Sequence, residues 1–336
     1  MEPNVIAAFS DVLRDELFEN FSINPASLID LGGFESFIFE DPKQSRIIRI
    51  THKSHRDEVQ LAAELEFLVY LAENGAPVSR PLPIVRRETS SPVLFSNHFV
   101  GQYQNFYLTQ FDKADGSIVD EVDWTPLLFR NWGRCLGQFH SLAVAMPDPK
   151  YRRLHWRDDE NLNFRGRIPA NQTKILERAD DCLMRLNELT ETRQEFGLIH
   201  CDAHPGNFHV LNGELTFFDF DDACYQWYVF DIATVLFSVV LQPWIENTQE
   251  ARVRAADQFL SAFFEGYRQY RPVTDFMIEQ LPLFISLREL SLYGVIHAHM
   301  NVDNIDDWFP KKFMHDRQSR IESCKPFIEL DFSKYA

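Results

Sequence analysis

The stretch GLIHCDAHPGNFHVLNGELTFFDFDDA, residues 197–223, holds two polar patches that are separated by apolar runs. The first patch, residues 200–207, contains two histidines, one aspartate and one asparagine. The second patch consists of Asp219, Asp221 and Asp222. Between the patches, Asn212-Gly213 joins two apolar runs, and this dipeptide strongly favours a two-residue hairpin turn. We therefore predict an antiparallel hairpin whose outer ends bring both patches to the same edge.

The composition limits the partners that such a chain can have. Its 336 residues carry a formal net charge of −17, so we expect it to repel nucleic acid and anionic membrane surfaces. Its five cysteines are dispersed without paired spacing, which indicates a reducing compartment rather than a disulfide framework. The amino-terminal segment lacks the pattern of a signal peptide, and no apolar run is long enough to span a membrane. We predict a cytoplasmic protein, and no residue pattern indicates its oligomeric state.

The first third of the chain is predicted to be rich in strands. An opening helix is expected over residues 4–21, and residues 27–53 are typical of three strands with a glycine turn between the first two. Ser54 is the expected cap of a helix that Asn74-Gly75 ends. Three further strands are expected in the stretches RPLPIVRR (80–87), PVLFSN (92–97) and HFVGQYQNFYLTQF (98–111).

The pattern changes after a short linker at residues 112–116, and the rest of the chain is mainly helical. Helices are predicted in four segments, residues 124–143, 172–195, 230–270 and 276–300. The predicted fold class is therefore α+β. We predict an amino-terminal nucleotide-binding lobe over residues 1–111 and a carboxy-terminal catalytic and acceptor-binding lobe over residues 112–336, which carries the hairpin.

The two polar patches have the spacing that phosphoryl transfer from ATP requires. Magnesium prefers hard oxygen ligands, and a separate carboxylate must orient the attacking hydroxyl. In the protein-kinase pattern, a base aspartate precedes a metal-binding asparagine by five residues, and a metal-binding aspartate follows further along. Asp202 and Asn207 have this spacing, and Asp219 follows the predicted hairpin.

With these motifs the chain resembles the aminoglycoside phosphotransferase and choline kinase-like superfamily. The resemblance is strongest in LIHCDAHPGNFHV, FFDFDDA and FDIA, and it is weaker in LGQFHSLA (136–143) and ELEFLVYLAENGAPV (64–78). It implies a two-lobe protein-kinase-like fold with a small β-rich lobe and a larger helical lobe. It also implies that ATP and Mg²⁺ are bound in the cleft.

The resemblance implies specific roles for residues of the helical lobe. Asp202 would be the catalytic base, His200 would brace its loop, and Asp231 would tie that loop in place. The implied metal-binding residues are Asn207, Asp219 and Asp221. Asp221 would bind a second metal ion or lie next to the direct ligands of the first ion.

For the nucleotide, the resemblance implies a second set of residues. Gly32 and Gly33 would lie near the phosphates, Glu64 would pair with a basic residue of the third strand, and the segment from Gln110 through Asp112 to Ala114 would contact adenine. The sequence departs from the family pattern because that basic residue is Arg49 rather than lysine, and the two side chains are not equivalent. The turn LGGFES also lacks a complete Gly-x-Gly-x-x-Gly motif.

Two other readings of the motifs are less consistent with the sequence. His200, Asp202 and His204 could bind zinc, but that reading gives no role to Pro205-Gly206-Asn207. The Asp-x-Asp run in FFDFDDA is similar to the nucleophile motif of haloacid-dehalogenase phosphatases. That motif follows the first strand of a parallel sheet, whereas this one ends a hairpin deep in a helical lobe.

The acceptor is predicted to be a small, hydroxyl-bearing molecule, such as an aminoglycoside-, choline- or homoserine-like compound. Residues 194–251 contain nine carboxylates and no lysine or arginine, and this negative field would favour an amine-bearing acceptor. Tyr225, Trp227 and Trp244 are candidates for the acceptor pocket or the core. The alternatives are a protein Ser/Thr kinase of the same fold and a non-catalytic ATP-binding regulatory module. Intact Asp202 and its two metal-binding partners disfavour the second alternative.

Overall fold

A computed structural model describes residues 1–84 and 98–336. The chain forms two compact units, the first made of Met1–Asp115 with Pro147–Arg153 and the second of Gly116–Met146 with Leu154–Ala336. The strand predicted over residues 92–97, and the end of the one predicted over residues 80–87, lie outside the described residues. The predicted assignment of nucleotide binding and catalysis to residues 1–111 and 112–336 remains a prediction.

The first unit consists of one antiparallel sheet with helices. Its elements are α1 (Pro3–Ala8), α2 (Asp11–Asn20), β1 (Ile29–Gly32), β2 (Phe37–Asp41), β3 (Arg46–His52), α3 (Glu58–Glu73), β4 (Gly101–Tyr103) and β5 (Phe106–Asp112). The strand order is β1-β2-β3-β5-β4, and all neighbouring strands are antiparallel. The three strands predicted over residues 27–53 are thus confirmed. The single strand predicted over residues 98–111 is instead two antiparallel strands, β4 and β5, joined by a turn in which Gln104 has a positive φ.

The side-chain alternation of β3 explains how this sheet is covered. Ile48 and Ile50 belong to a buried cluster that includes Leu17 and Phe18 of α2. Because successive strand residues point to opposite faces, Arg49 lies on the other face, where Glu64 of α3 meets it. A charged residue is therefore buried on one face of a sheet whose opposite face is apolar.

Two predicted helix boundaries in the first unit are wrong. The opening helix is broken into α1 and α2, because Ser10 adopts an extended conformation and its hydroxyl accepts a hydrogen bond from the Leu13 amide. Helix α3 is capped by Asp57 instead of Ser54, since Asp57 and Gln60 form a reciprocal capping box. In both places a local hydrogen bond of a capping side chain, rather than the apolar periodicity, sets the first helical residue.

The second unit is mainly helical. Its elements are β6 (Ser117–Ile118), α4 (Pro126–Ala145), α5 (Phe164–Arg167), α6 (Thr173–Glu188), β7 (Phe196–Ile199), β8 (Phe208–Leu211), β9 (Glu214–Phe217), β10 (Cys224–Trp227), α7 (Tyr228–Val240), α8 (Gln249–Tyr267), α9 (Asp275–His299), α10 (Trp308–Met314) and α11 (Arg317–Glu322). Every residue of α7 is buried, so α7 is the central helix of this unit. Within the described residues, no helix is both long enough and apolar enough to cross a bilayer.

Helices α4 and α8 pack closely because glycine lines their contact. A Cβ on Gly133 would lie 1.9 Å from the Phe263 carbonyl oxygen, and one on Gly266 would lie 1.8 Å from the Arg130 carbonyl oxygen. Any larger residue at either position would force the two helices apart.

The predicted hairpin is present. Asn212 and Gly213 both have positive φ, and strands β8 and β9 pair so that Phe208 lies opposite Phe217. Three strands of this unit were not predicted: β6 pairs with β8, and β7 pairs with β10. The helix predicted over residues 172–195 accordingly ends at Glu188, and the one predicted over residues 230–270 is divided into α7 and α8.

Candidate active site

The loop that carries Asp202 begins where β7 ends. It continues through a single turn of 3-10 helix at Pro205–Asn207 and then enters β8. Asp202 is partly buried, and Asn207 is buried at the start of the hairpin. The sequence-predicted base and the first predicted metal-binding residue are thus the two ends of one short loop.

The carboxylate of Asp231, in α7, anchors the backbone of this loop. Its carboxylate accepts hydrogen bonds from the backbone amides of His200 (3.1 Å) and Cys201 (2.7 Å). Cys201 has a φ of +67°, a left-handed conformation that costs roughly 1–2 kcal/mol for a residue with a side chain. The two hydrogen bonds offset that cost, so Asp231 fixes the backbone immediately before Asp202.

His140 of α4 completes the support of the loop. Its Nε2 lies 3.1 Å from Asp231 Oδ2, and its Nδ1 lies 2.9 Å from the Tyr267 hydroxyl. Burial lowers the pKa of His140 and outweighs the opposing effect of Asp231. A neutral imidazole that donates from Nε2 and accepts at Nδ1 satisfies both neighbours. His140 is therefore a positioning residue that acts on the loop through Asp231.

The hairpin brings the second patch to the first. The Phe218 amide donates to the Asn207 carbonyl oxygen at 3.0 Å, so Asp219 follows directly after the residue that faces Asn207. Asp219 is exposed and has a φ of +62°, whereas Asp221 is buried. The edge predicted from Asn212-Gly213 therefore does collect Asp202, Asn207 and Asp219.

The oxygen atoms at this edge are suited to a divalent cation. Asn207 Nδ2 donates to the Asp202 carbonyl oxygen (2.9 Å) and approaches Asp202 Oδ2 (3.3 Å). This leaves the Asn207 Oδ1 atom as the part of the side chain that can bind a metal, and Asp219, two residues along from the hairpin strand, is exposed. The set of hard oxygen atoms fits Mg²⁺, and assignment of Asn207, Asp219 and Asp221 as metal-binding residues remains a prediction.

Asp202 also has a partner that the sequence did not reveal. Arg288 of α9 donates from Nη2 to Asp202 Oδ1 at 2.6 Å, and His204 Nε2 lies 3.3 Å from Asp202 Oδ2. Burial disfavours the charged carboxylate, but His204 and Arg288 outweigh it and hold the pKa of Asp202 well below its usual range. Asp202 is thus ionised and fixed in orientation at neutral pH.

Arg288 could have been noticed in the sequence as an isolated charge. Residues 280–296 of α9 are almost entirely apolar, and Arg288 and Glu289 are the charged residues among them. Glu289 is buried and pairs with Arg317. Charged residues in an otherwise apolar helix need buried partners, although the sequence does not show which partners they have. The negative charge of residues 194–251, which contain no lysine or arginine, is therefore compensated in part by an arginine from another helix.

The first unit contains the predicted nucleotide-binding residues. Arg49 Nη2 donates to Glu64 Oε2 at 2.7 Å, and both side chains are buried. The Arg49 guanidinium also lies 5.1 Å from the centroid of the Phe111 ring. Arginine thus makes the ion pair that the family resemblance implied for this position.

The glycine turn and the adenine segment have defined backbone geometry. Gly32 and Gly33 have φ of +74° and +156°, and a Cβ on Gly33 would lie 1.9 Å from the Ser36 carbonyl oxygen. In the segment around β5, the Gln110 carbonyl oxygen accepts from the Leu82 amide, and the Asp112 amide donates to the Arg80 carbonyl oxygen. Both groups are already occupied, so contact of Gln110 and Asp112 with adenine remains a prediction.

Several other residues have structural positions. His200 is fully buried, and its Nδ1 accepts from the Asp202 amide at 3.4 Å, in keeping with a bracing role that remains a prediction. Burial raises the pKa of Cys201, whose sulfur lies 3.1 Å from that of Cys224. Trp227 is fully buried and is part of the core.

A cavity of about 520 Å³ opens beside Asp202, and we call it the Asp202 cavity. All of its lining residues belong to the second unit, and they include Asp202, Arg288, Thr234, Phe237, Trp244 and Phe309. Trp244 is therefore the one of the three candidate aromatic residues that lines this cavity.

Comparison with protein families establishes the class of the chain. Residues 29–273 match the phosphotransferase enzyme family (APH), so the chain belongs to that family. The predicted resemblance is confirmed, and the chain is a small-molecule kinase of this family.

Individual relatives agree with this assignment. The amicoumacin kinase of Bacillus subtilis (strain 168) is 31% identical over 307 residues, which cover 90% of this chain and 89% of that protein. The homoserine kinase of Caulobacter vibrioides (strain NA1000 / CB15N) is 25% identical over 253 residues, 74% of this chain and 73% of its own. The solved structure of amicoumacin kinase hAmiN in complex with AMP-PNP, Ca2+ and Ami is 28% identical, has a TM-score of 0.87 and covers 100% of both chains. The predicted α+β, protein-kinase-like fold is thus confirmed.

Proposed function

We propose that the chain transfers the γ-phosphate of ATP to a hydroxyl group of a small molecule that binds in the Asp202 cavity. The observation that carries this proposal is the position of Asp202. Its carboxylate is held by Arg288 and His204 and lies in the wall of a cavity, and Asn207 joins its loop to Phe218, the residue before Asp219. A fixed, ionised carboxylate at the edge of a cavity can orient an acceptor hydroxyl.

Each polar group of the loop then has a separate task. Asp202 accepts the hydrogen bond of the acceptor hydroxyl and receives its proton as the hydroxyl oxygen bonds to the γ-phosphorus. The bond from that phosphorus to the bridging oxygen of ATP breaks in the same transfer, and ADP leaves. Asn207, Asp219 and Asp221 would hold Mg²⁺, which would neutralise phosphate charge when it is bound. Asp231 and His140 keep the loop in place. Positioning and electrostatics supply most of the rate enhancement in such a site.

ATP is the proposed donor, and Arg49, Glu64, Gly32 and Gly33 are the proposed nucleotide-binding residues of the first unit. The complex of the amicoumacin kinase hAmiN with AMP-PNP and Ca2+ supports a nucleotide and a divalent cation in this family. The Arg49–Glu64 pair supports the same proposal, because it places a basic residue on the strand where kinases hold the phosphates.

Two observations favour a small acceptor over a protein acceptor. The Asp202 cavity has a volume of about 520 Å³, within the usual range of small-molecule sites. The segment between Asp219 and Asp231 is short and contains strand β10, which is paired with β7. The segment therefore contains no long loop on which a polypeptide substrate could bind. The relatives named for amicoumacin and homoserine also point to hydroxyl-bearing small molecules.

The test is ADP release from ATP by the purified chain over a panel of hydroxyl-bearing compounds, amino alcohols, amino sugars and one generic protein substrate. We expect at least one small molecule to stimulate release, and chelation of divalent cations to abolish it. Asn207→Ala should raise the Mg²⁺ concentration that gives half-maximal rate. Stimulation by the protein substrate alone would contradict the proposal, and so would release that persists without a divalent cation.

A further inference from the structure

Two cysteines of the second unit lie in contact beside Asp202, and the proposed mechanism uses neither of them. The Cys201 sulfur lies 3.1 Å from the Cys224 sulfur. The sulfurs of a disulfide are about 2.05 Å apart, so an approach of roughly 1 Å separates this pair from a bond. All five cysteines of the chain lie among the described residues and are free, and of these five only Cys201 and Cys224 have their sulfur atoms in contact.

The pairing of β7 with β10 brings the two cysteines together. Cys224 is the first residue of β10 and lies opposite Ile199, the last residue of β7. Cys201 follows Ile199 by two residues, and its φ of +67° bends the chain there. A cysteine sulfur is only one bond beyond Cβ, so the backbone largely fixes how far apart two such sulfurs are. The contact is therefore a property of the sheet and of the loop that leaves it.

The other three cysteines have different surroundings. Cys135 and Cys182 are buried, and burial raises the pKa of each thiol to about 12. Cys324 is exposed. The chain thus contains isolated buried thiols and one isolated exposed thiol, with which the Cys201–Cys224 pair can be compared.

Proximity decides which product the oxidation of this pair gives. A thiol oxidised by a peroxide becomes a sulfenic acid, which condenses with a nearby thiol to a disulfide. Burial raises the pKa of Cys201, so the first oxidation is slow. Cys201 and Cys224 keep exposures of 7% and 5%, and hydrogen peroxide is little larger than water. Once either sulfur is oxidised, its partner is in place, and effective concentrations in such a geometry reach about 10⁵ M or more.

We propose that Cys201 and Cys224 are an oxidation site, at which a peroxide converts the two thiols into a reversible disulfide. One thiol attacks a peroxide oxygen, the O–O bond breaks, and a sulfenic acid and water form. The second thiol attacks the sulfenic sulfur, the S–O bond breaks, the S–S bond forms, and a second water leaves. Two electrons pass from the sulfurs to the peroxide. A dithiol such as dithiothreitol returns them by thiol–disulfide exchange and restores both thiols.

The disulfide lowers the rate of phosphoryl transfer, and this part of the inference rests on the function proposed above. Strand β10 is fixed on both sides, because it pairs with β7 and the Tyr225 amide donates to the Leu154 carbonyl oxygen at 2.9 Å. Cys201 is held by the hydrogen bond from its amide to Asp231. The approach of roughly 1 Å therefore falls mainly on Cys201 and displaces Asp202, the next residue. A displacement of about 1 Å in a catalytic site can cost about 10²-fold in rate.

The sequence makes this disulfide simple to detect. Trypsin cleaves after lysine and arginine, and both cysteines fall in a single peptide, residues 194–252, that contains no other cysteine. After treatment of the full chain with hydrogen peroxide, we expect this peptide to lose two hydrogen atoms and to take up no iodoacetamide. Dithiothreitol should restore two alkylation sites. A peptide that still takes up two alkyl groups when Cys324 is fully oxidised would overturn the proposal, and so would a gain of oxygen atoms that dithiothreitol does not remove.

Matched variants assign the effect on turnover. The kcat for acceptor-stimulated ADP release should fall at least about tenfold on oxidation of the wild type and recover with dithiothreitol. Cys224→Ala should keep the untreated rate and lose this reversible inhibition. Cys182→Ala and Cys324→Ala are the controls and should retain it. Reversible inhibition of Cys224→Ala equal to that of the wild type would overturn the proposal, and an oxidised wild type with unchanged kcat would overturn the displacement of Asp202. The peptide masses of the wild type decide the oxidation site even if a variant does not fold.

Peptide masses and turnover also separate this inference from the proposed function. If no hydroxyl compound stimulates ADP release, the proposed function fails, and the peptide masses still confirm or overturn the oxidation site. If acceptors are phosphorylated while both cysteines stay reduced in peroxide, the function stands and the inference is wrong.

Discussion

Two arginine–carboxylate pairs of similar geometry serve different purposes in the two units. Arg49 and Glu64 lie 2.7 Å apart, with side-chain exposures of 6% and 0%. Arg288 and Asp202 lie 2.6 Å apart, with exposures of 16% and 22%, in the wall of a cavity. The first pair is enclosed by protein, whereas the second is open to a ligand. Distance alone therefore does not show which of the two pairs a ligand in the Asp202 cavity can reach.

The difference lies in what surrounds each pair. Glu64 is enclosed by the apolar residues of α3, so its charge depends on Arg49 for compensation. Asp202 has further partners in His204 and Asn207, and a cavity on its remaining side. Breaking the pair should accordingly affect mainly stability at the first site and mainly use of the acceptor at the second.

The largest effect on stability is expected for Glu64→Gln. This change leaves Arg49 buried without its counter-charge, and breaking a buried ion pair on one side costs about 3–5 kcal/mol. The free energy of unfolding, measured with denaturant, should fall by that amount. The control is Asp11→Asn, which breaks the exposed pair with Arg14 and should cost about 1 kcal/mol or less. Equal losses in both variants would show that the Arg49–Glu64 pair is not buried as described.

A smaller effect on stability and a larger one on use of the acceptor are expected for Arg288→Gln. His204 and Asn207 remain beside Asp202, so the free energy of unfolding should fall by only about 1 kcal/mol. The kcat/KM for the acceptor should fall at least about tenfold, because Asp202 loses the charge-assisted hydrogen bond that fixes its orientation, and such a bond is worth about 1.5–3 kcal/mol. The KM for ATP should not change. Steady-state kinetics with each substrate varied in turn checks this. A rise confined to the KM for ATP would contradict the assignment of Arg288 to the acceptor site.

The smallest expected effect is a pH dependence that comes from His140. Burial lowers the pKa of His140 in the folded chain below 6.5, its usual value, so the unfolded chain binds the proton more readily. The contribution of the neutral imidazole to stability is therefore present above pH 6.5 and is lost as the pH falls below it. Denaturant unfolding of the wild type and His140→Gln at pH 7.5 and 5.5 checks this. The wild type should lose more stability on acidification than the variant, and parallel losses would assign the effect to other groups.

The parts of the fold that depend on local chemistry could be predicted from the sequence. Asn212-Gly213 determines a hairpin by its φ preferences, and that hairpin brings Asn207 and Asp219 together. The glycine turn and β3 were likewise predicted. Asp202, as the end of a short loop, follows from the same pattern.

The predictions that failed concern two kinds of feature. Some helix boundaries are set by capping hydrogen bonds that override the apolar periodicity, and some contacts join residues that are far apart in the sequence. Ser10 begins a new helix because its side chain bonds an amide, although apolar periodicity continues through it. Strand β10 is paired with β7, whose partner residues are more than 20 positions away, so neither segment shows its pairing locally. Arg288 lies 86 residues beyond Asp202 and is brought to it by the packing of α9. No spacing rule connects two such positions.

The central claim is that Asp202 orients the hydroxyl of a small acceptor, and single-turnover phosphoryl transfer by Asp202→Asn tests it most directly. The measurement uses the most effective acceptor of the panel, with saturating Mg²⁺ and ATP. Glu214→Gln is the control, since it neutralises an exposed carboxylate of the same hairpin. We expect the rate of Asp202→Asn to fall by about 10²–10⁴-fold, the usual contribution of a general base, with nucleotide binding retained and the control unaffected. A rate for Asp202→Asn within a few-fold of the wild type would contradict the account.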